Sequence, residues 1–167
     1  MVVQTIAGTQ LYSAPLASAT GLTIEGTAAA ETIAIDFRTR LSADTPFNLN
    51  VDGGGGPDAV TVNCAAGNDN AVLQATGGST VFGPGFRLTL SNFPSLWVYG
   101  NGGNNSAQLV DTPGNDLAVF TPSYAYLQNT QSGIMEVAVG FQQATAVSTQ
   151  GAPTRSFCTV RPGMASA

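Results

Sequence analysis

The side chains that could do chemistry in this 167-residue chain are few and mostly acidic. Ten Asp and Glu stand against five Arg, and neither His nor Lys occurs. That excludes imidazole-based triads, Schiff-base chemistry and His-ligated zinc. What is left is carboxylate chemistry. Glu25/Glu31, Asp52/Asp58 and Asp111/Asp116 are close pairs, and two suitably spaced carboxyl groups can hydrolyse a glycoside. Each pair, however, brackets a small-residue turn, where acidic residues are favoured for conformational reasons alone. Cys64 lies in the turn segment CAAGND with no imidazole to activate it. Its expected role is that of a small residue at a corner. No catalytic residue is assigned, and the chain is read as a non-enzyme.

The elements that carry these residues follow from composition. Hydrophobic residues make up 43% of the chain and charged residues only 9%, well below the roughly 25% charged that is usual. With 20 Gly and 9 Pro, this suits an all-β chain with many turns. Long exposed helices, which carry Glu and Lys, are not expected. A net charge of −5 without a basic cluster argues against nucleic acid and anionic membranes as partners. No run of 18 apolar residues is present, so no membrane span is expected. The opening segment MVVQTIAGTQLYSAPLASATG has no basic n-region and does not read as a signal peptide. For an exported protein, the leader would be absent from this chain.

Shifted by 47 residues, the chain matches itself. VDGGGGPDAVTVNCAAGNDNAV (51–72) lies over VYGNGGNNSAQLVDTPGNDLAV (98–119), with Gly67-Asn68-Asp69 on Gly114-Asn115-Asp116 and Asp58 on Asn105. FPSLWVYG (93–100) resembles FQQATAVS (141–148) at an offset of 48. At an offset of 27, IEGTAAAETIAI (24–35) meets VDGGGGPDAVTV, and Glu31 falls on Asp58. Short β-branched and aromatic runs alternate with Gly, Asn, Asp and Pro turns throughout. The pattern predicts a repeat protein, a right-handed parallel β-helix. Its coils would have about 20–27 residues, and its 47–48-residue repeat would span two coils of three strands each. Residues 1–21 would form an N-terminal cap or donated strand, 22–160 the β-solenoid repeats, and 161–167 a short tail.

GGGGPDAVT (53–61) resembles the nonapeptide of RTX, or hemolysin-type, calcium-binding repeats. LVDTPGNDLAVFTPSYAYL (109–127) resembles the long secreted β-helix repeat proteins of planctomycete bacteria, which have no known catalysis. The RTX resemblance implies calcium held between successive turns. Asp58 takes the aspartate position of the complete nonapeptide, and Asp69 and Asp116 take it in degenerate copies. Calcium asks for six to eight oxygens, whereas Asn105 replaces an aspartate and Ala28–Ala30 replace glycines. Two coils of separation would also place Asp69 and Asp116 about 9–10 Å apart. The alternative is that these residues make Asx-turns and tolerate left-handed backbone.

Parallel β-helix polysaccharide lyases show that the architecture can carry an enzyme, but no motif ties Arg38, Arg40 or Arg87 to an acidic cluster. Among the aromatics, Phe93 and Phe141 occupy equivalent repeat positions, as an interior stack would require. Tyr124 and Tyr126 share a face and are the best candidates for exposed sugar contacts. Cys64 and Cys158 are 94 residues apart, about four coils or ~19 Å at the usual strand spacing, so no intrachain disulfide is expected. The sequence therefore reads as a non-catalytic structural or adhesive module of a secreted or cell-surface protein, associating end to end with copies of itself or with neighbouring segments. The alternatives are a calcium-stabilised RTX-like module and a carbohydrate-binding or polysaccharide-degrading β-helix.

Overall fold

The computed structural model describes residues 2–4, 10–13, 21–38, 46–149 and 155–158. Arg40, most of the 1–21 segment and the 161–167 tail lie outside the described residues. The described residues form strands and turns without helix. In chain order the strands are β1 (Val2–Gln4), β2 (Gln10–Ser13), β3 (Gly21–Glu25) and β4 (Thr32–Asp36). β5 (Phe47–Asp52), β6 (Ala59–Asn63), β7 (Asn70–Leu73), β8 (Gly78–Gly83) and β9 (Phe86–Ser91) follow. Next are β10 (Ser95–Tyr99), β11 (Ser106–Val110), β12 (Asp116–Phe120), β13 (Tyr124–Asn129) and β14 (Met135–Val139). β15 (Gln143–Val147) and β16 (Arg155–Cys158) complete the set.

Among the described residues β1 and β2 pair only with each other, as an antiparallel ribbon. The other strands make two seven-stranded sheets. Sheet I has the order β3-β5-β9-β8-β7-β11-β15, and sheet II the order β4-β6-β10-β14-β13-β12-β16. Their inward faces share one core in which Leu49, Val51, Leu88 and Leu90 of sheet I join Val60, Val62, Leu96 and Val98 of sheet II. Alternation with period two explains this, because the odd residues of β5 and the even residues of β6 point the same way, into the core.

Pairing is mostly parallel, as the repeat phasing suggests, but not wholly so. β7–β8, β8–β9, β12–β13 and β13–β14 are antiparallel. The glycine-rich segment TGGSTVFGPG (76–85), whose composition suggests a turn, contains a strand, β8, entered through a turn closed by Gly77 N–H on Gln74 O (3.0 Å). It leaves through Pro84-Gly85, where proline presets one turn residue and Gly85 supplies φ +83° at the next. A repeat of 47 residues thus holds five strands, not six. The chain crosses between sheets, crosses back, and then spends three strands as a meander on one sheet. Three sheet visits per repeat is an odd number, so consecutive repeats begin on opposite sheets. The run β11-β7-β8-β9-β5 of sheet I reappears five strands later as β16-β12-β13-β14-β10 of sheet II.

Cys64, just after β6, is buried and free. β6 and β16, which contains Cys158, are five strand spacings apart in sheet II, about 24 Å.

The four glycines at 53–56 carry the chain from β5 of sheet I to β6 of sheet II. Gly54 and Gly56 have φ of +80° and +146°, and a Cβ on either would strike the backbone of the turn below, at Thr27 O and Ala29 O respectively. Gly55 has ordinary φ, and a Cβ there would meet open space. Gly54→Ala and Gly56→Ala are therefore expected to cost at least about 1–2 kcal/mol each. Gly55→Ala should be neutral or stabilise by about 0.4–1 kcal/mol, by restricting the unfolded chain. Urea denaturation of the three variants checks this, and equal losses at all three positions would contradict it.

Candidate functional site

Polar chemistry in this molecule gathers at the turns where the chain enters each sheet. Asp58 precedes β6, and its Oδ1 accepts the backbone N–H of Glu31, which precedes the neighbouring strand β4 (2.7 Å). Asn105 precedes β11, and its Oδ1 accepts the N–H of Asp69 before β7 (2.8 Å). Gln142 precedes β15 and accepts the N–H of Asn105 through Oε1 (2.7 Å). One rule covers all three. The residue before a strand uses its side chain to satisfy the amide before the adjacent parallel strand. Asn105 also donates its amide to Gly102 O and Gly140 O (3.1 and 3.3 Å), which an aspartate could not do. The departure from the calcium motif at position 105 is thus a hydrogen-bonding choice.

The three aspartates singled out as calcium ligands are not brought together. Asp58 enters sheet II, Asp69 enters sheet I and Asp116 opens β12 of sheet II. The expected stack of Asp69 and Asp116 at one corner is replaced by placement on opposite sheets, because of the odd number of sheet visits per repeat. Asp116 Oδ1 accepts the Thr112 hydroxyl (3.0 Å), and Asn129 in turn donates to that hydroxyl (2.9 Å). Among the described residues no group of three or more Asp, Glu or Cys side chains is close enough to hold a metal ion. Each aspartate nonetheless keeps at least one buried oxygen without a protein partner, and Asp69 keeps two.

Besides Asp58, Asp69, Asp111 and Asp116, a fifth carboxyl is buried that was not anticipated. Glu136 sits on the inward face of β14, in register with Leu96 and Leu127, and is 2% exposed. Its Oε1 accepts the N–H of Ala75 from the opposite sheet (2.6 Å), while Oε2 has no partner. Burial pushes its pKa up to about 8, against backbone hydrogen bonds from Ala75 and Val110, with Asp116 and Asp111 adding repulsion. Burial likewise pushes Asp69 up to about 7 and raises Asp116. It raises the Cys64 thiol above its ordinary range, so that residue is inert as a nucleophile. Alternation along MEVAV puts Glu136 on one face with Ala138, but not which face is inside.

On the outer surface, Glu25 and Asp52 become neighbours, in register on adjacent strands of sheet I. With Thr23, Asn50, Thr89 and Ser91 they line a shallow groove on the outer surface. Gly54 N–H (2.8 Å) and the Asn92 amide (2.7 Å) hold the Asp52 carboxyl below its ordinary range. Asp52 is therefore unsuited to be the protonated partner of a hydrolytic pair. Of the arginines that no motif ties to an acidic cluster, Arg38 is bound to Asp36 (2.5 Å) and Arg87 lies over the Phe82 ring at 5.6 Å.

The aromatics divide by sheet face. Phe93 and Phe141 are buried, and Phe86 stacks on Phe37 at 4.0 Å. Trp97, Tyr99, Tyr124 and Tyr126 lie on the outward face of sheet II, and Tyr124 is 40% exposed. No protein-family model, curated protein or solved structure matches the chain.

The buried acids set a pH dependence. Glu136 and Asp69 have native pKa values above their unfolded ones, so the folded state binds the extra protons. Their favourable contribution is complete below about pH 4 and is lost as pH rises through 7–8. Glu31, Asp36 and Asp52, whose pKa values are lowered by hydrogen bonds, contribute above about pH 4 and lose that contribution in acid. Thermal stability should peak near pH 5 and fall towards pH 9. Glu136→Gln should flatten the alkaline limb and raise Tm at pH 9 by a few degrees, on the scale of about 2–4 °C per kcal/mol. Calorimetry across pH 4–9 tests this, and a stability that rises from pH 5 to 9 would contradict it.

Proposed function

We propose that this chain is a non-catalytic structural module of an extracellular or cell-surface assembly. In this reading it is a right-handed β-solenoid of mostly parallel strands that joins its neighbours end to end. The observation that carries the proposal is the condition of the sheet edges. β3 and β4 are the last strands at one end of the two sheets, and β15 and β16 at the other. Among the described residues each has one neighbour, to which it is parallel, and no strand pairs with its outer row of backbone donors and acceptors. The β1–β2 ribbon pairs with itself and adds to neither sheet.

Such edges are templates for a further strand. The repeat supports the same reading, because each 47-residue unit moves the pattern to the opposite sheet and along the stack. An operation of that kind continues without closing, whether within a longer chain or between copies. Among the described residues no helix is long and apolar enough to cross a membrane. A calcium-stabilised module is the second reading, and the unpartnered oxygens of Asp58, Asp69 and Asp116 favour it.

The isolated chain is expected to form concentration-dependent open oligomers, visible by light scattering and electron microscopy. Thr23→Lys and Thr145→Lys, which put charge on the two edge strands of sheet I, should suppress them. A strictly monomeric particle at high concentration would overturn the proposal. A chelator should leave Tm unchanged, and a calcium-dependent rise in Tm would favour the second reading.

A further inference from the structure

Sheet II carries on its outward face a surface that end-to-end association does not use. The chain has one Trp and four Tyr, and the Trp and three of the Tyr lie on this face. Register fixes their arrangement. Trp97 of β10, Val137 of β14 and Tyr126 of β13 form one row, and Tyr99, Val139 and Tyr124 the next. In each row two aromatics flank a valine, two strand spacings or about 9.6 Å apart. Val137 points outward yet is only 3% exposed, so the flanking aromatic side chains cover it instead of standing clear. The Tyr124 and Tyr126 rings are nearly parallel, 16° between planes and 6.2 Å between centroids. The result is a low aromatic platform several strands wide.

Its electrostatics narrow the ligand. Across β6, β10, β14, β13 and β12 no outward side chain is charged, although the chain as a whole carries −5. Over these five strands nothing would pair with phosphate, sulfate or uronate groups, and the Arg38 guanidinium just beyond the edge strand β4 is already bound to Asp36, which disfavours nucleic acid, anionic lipid and acidic glycans. The polar residues present are uncharged hydrogen-bonding ones. Thr61 is in register with Trp97, Asn63 with Tyr99, and Gln128 with Met135.

A pyranose ring has the complementary surface, an apolar face of C–H bonds that stacks on aromatic rings and a rim of hydroxyl groups that bond amides and hydroxyls. Repetition of the aromatic pair across strands suits a linear chain of such rings better than a single sugar. We propose that the outward face of sheet II binds a neutral, linear polysaccharide by stacking on Trp97, Tyr99, Tyr124 and Tyr126. This site stands apart from the sheet edges and does not depend on end-to-end association.

The full chain can be tested by affinity electrophoresis in gels containing hydroxyethyl cellulose or galactomannan, with polygalacturonate as the anionic control. Because Trp97 is the single tryptophan, its fluorescence reports on the platform directly. The expected result is retardation by a neutral polysaccharide with a shift in Trp97 emission, and neither effect with polygalacturonate. Tyr124→Ala, at the most exposed ring, should weaken binding about tenfold, while Tyr124→Phe should bind nearly as well as the parent. Circular dichroism confirms that both variants are folded. Lack of retardation by either neutral polymer would overturn the proposal, as would binding that survives the combined Tyr124→Ala and Tyr126→Ala substitutions. A glycan-independent dimer lost on Tyr124→Ala would also overturn it and would assign the face to a second copy of the chain.

Discussion

The N–H of Glu31 lies 2.7 Å from Asp58 Oδ1, and the order of the two sheets depends on contacts of this type. A strand that enters a sheet from a tight turn leaves the amide just before it without a ladder partner, and an unpaired amide that is buried is costly. Here the partner comes from the side chain at the same position of the adjacent strand. The hydrogen bond works only if the two strands begin level, so it fixes register as well as satisfying a donor. Asp58, Asn105 and Gln142 each play this part. The turn glycines belong to the same constraint, because turns stacked this closely leave no room for a Cβ at Gly54 or Gly56.

That geometry accounts for the calcium-like look of the sequence. A glycine-rich turn ending in an oxygen-bearing side chain serves equally well to receive a neighbour's amide or to face a cation. In RTX-type turns the aspartate needs further oxygens around it, whereas at Asp58 one oxygen is occupied by a backbone donor. Asn105 and Gln142 show that a negative charge is dispensable at this position. Where a carboxylate is kept, as at Asp69, burial works against its ionisation. Asp69 and Glu136 are thus destabilising elements at alkaline pH.

The two sheets divide their surfaces by chemistry. Inward positions are mostly aliphatic, with Phe47 and Phe86 also inward, and are interrupted by Ser79, Asn129 and Glu136. The outer face of sheet I bears hydroxyl, amide and acidic groups, among them the groove at Glu25 and Asp52. The outer face of sheet II is uncharged and aromatic over its central strands. The two faces differ although the repeat exchanges the sheets, so the outward positions diverged while the inward ones and the turns kept the pattern. Interior packing and turn stacking tolerate few residue types, whereas an outward side chain is restrained only by its cross-strand neighbours.

The sequence alone determined most of the strands and turns, β8 excepted, and the 47-residue repeat, because alternation of β-branched residues and the conformational needs of Gly, Asn and Asp are local properties. It also placed Tyr124 with Tyr126 on one face and put Phe93 and Phe141 at equivalent positions, since period two settles which residues of a strand go together. Local pattern could not say whether a third strand continues a coil or turns back as a meander. The GPGF segment carried the signal for a turn back, in the Pro-Gly pair between β8 and β9, but parallel and antiparallel neighbours ask for the same strand residues. Only the tertiary structure decided that each repeat visits the sheets an odd number of times, which separated Asp69 from Asp116. It also decided that Glu136 faces in and Trp97 faces out. Alternation divides a strand into two faces, but which one is buried is decided by the sheet that packs against it.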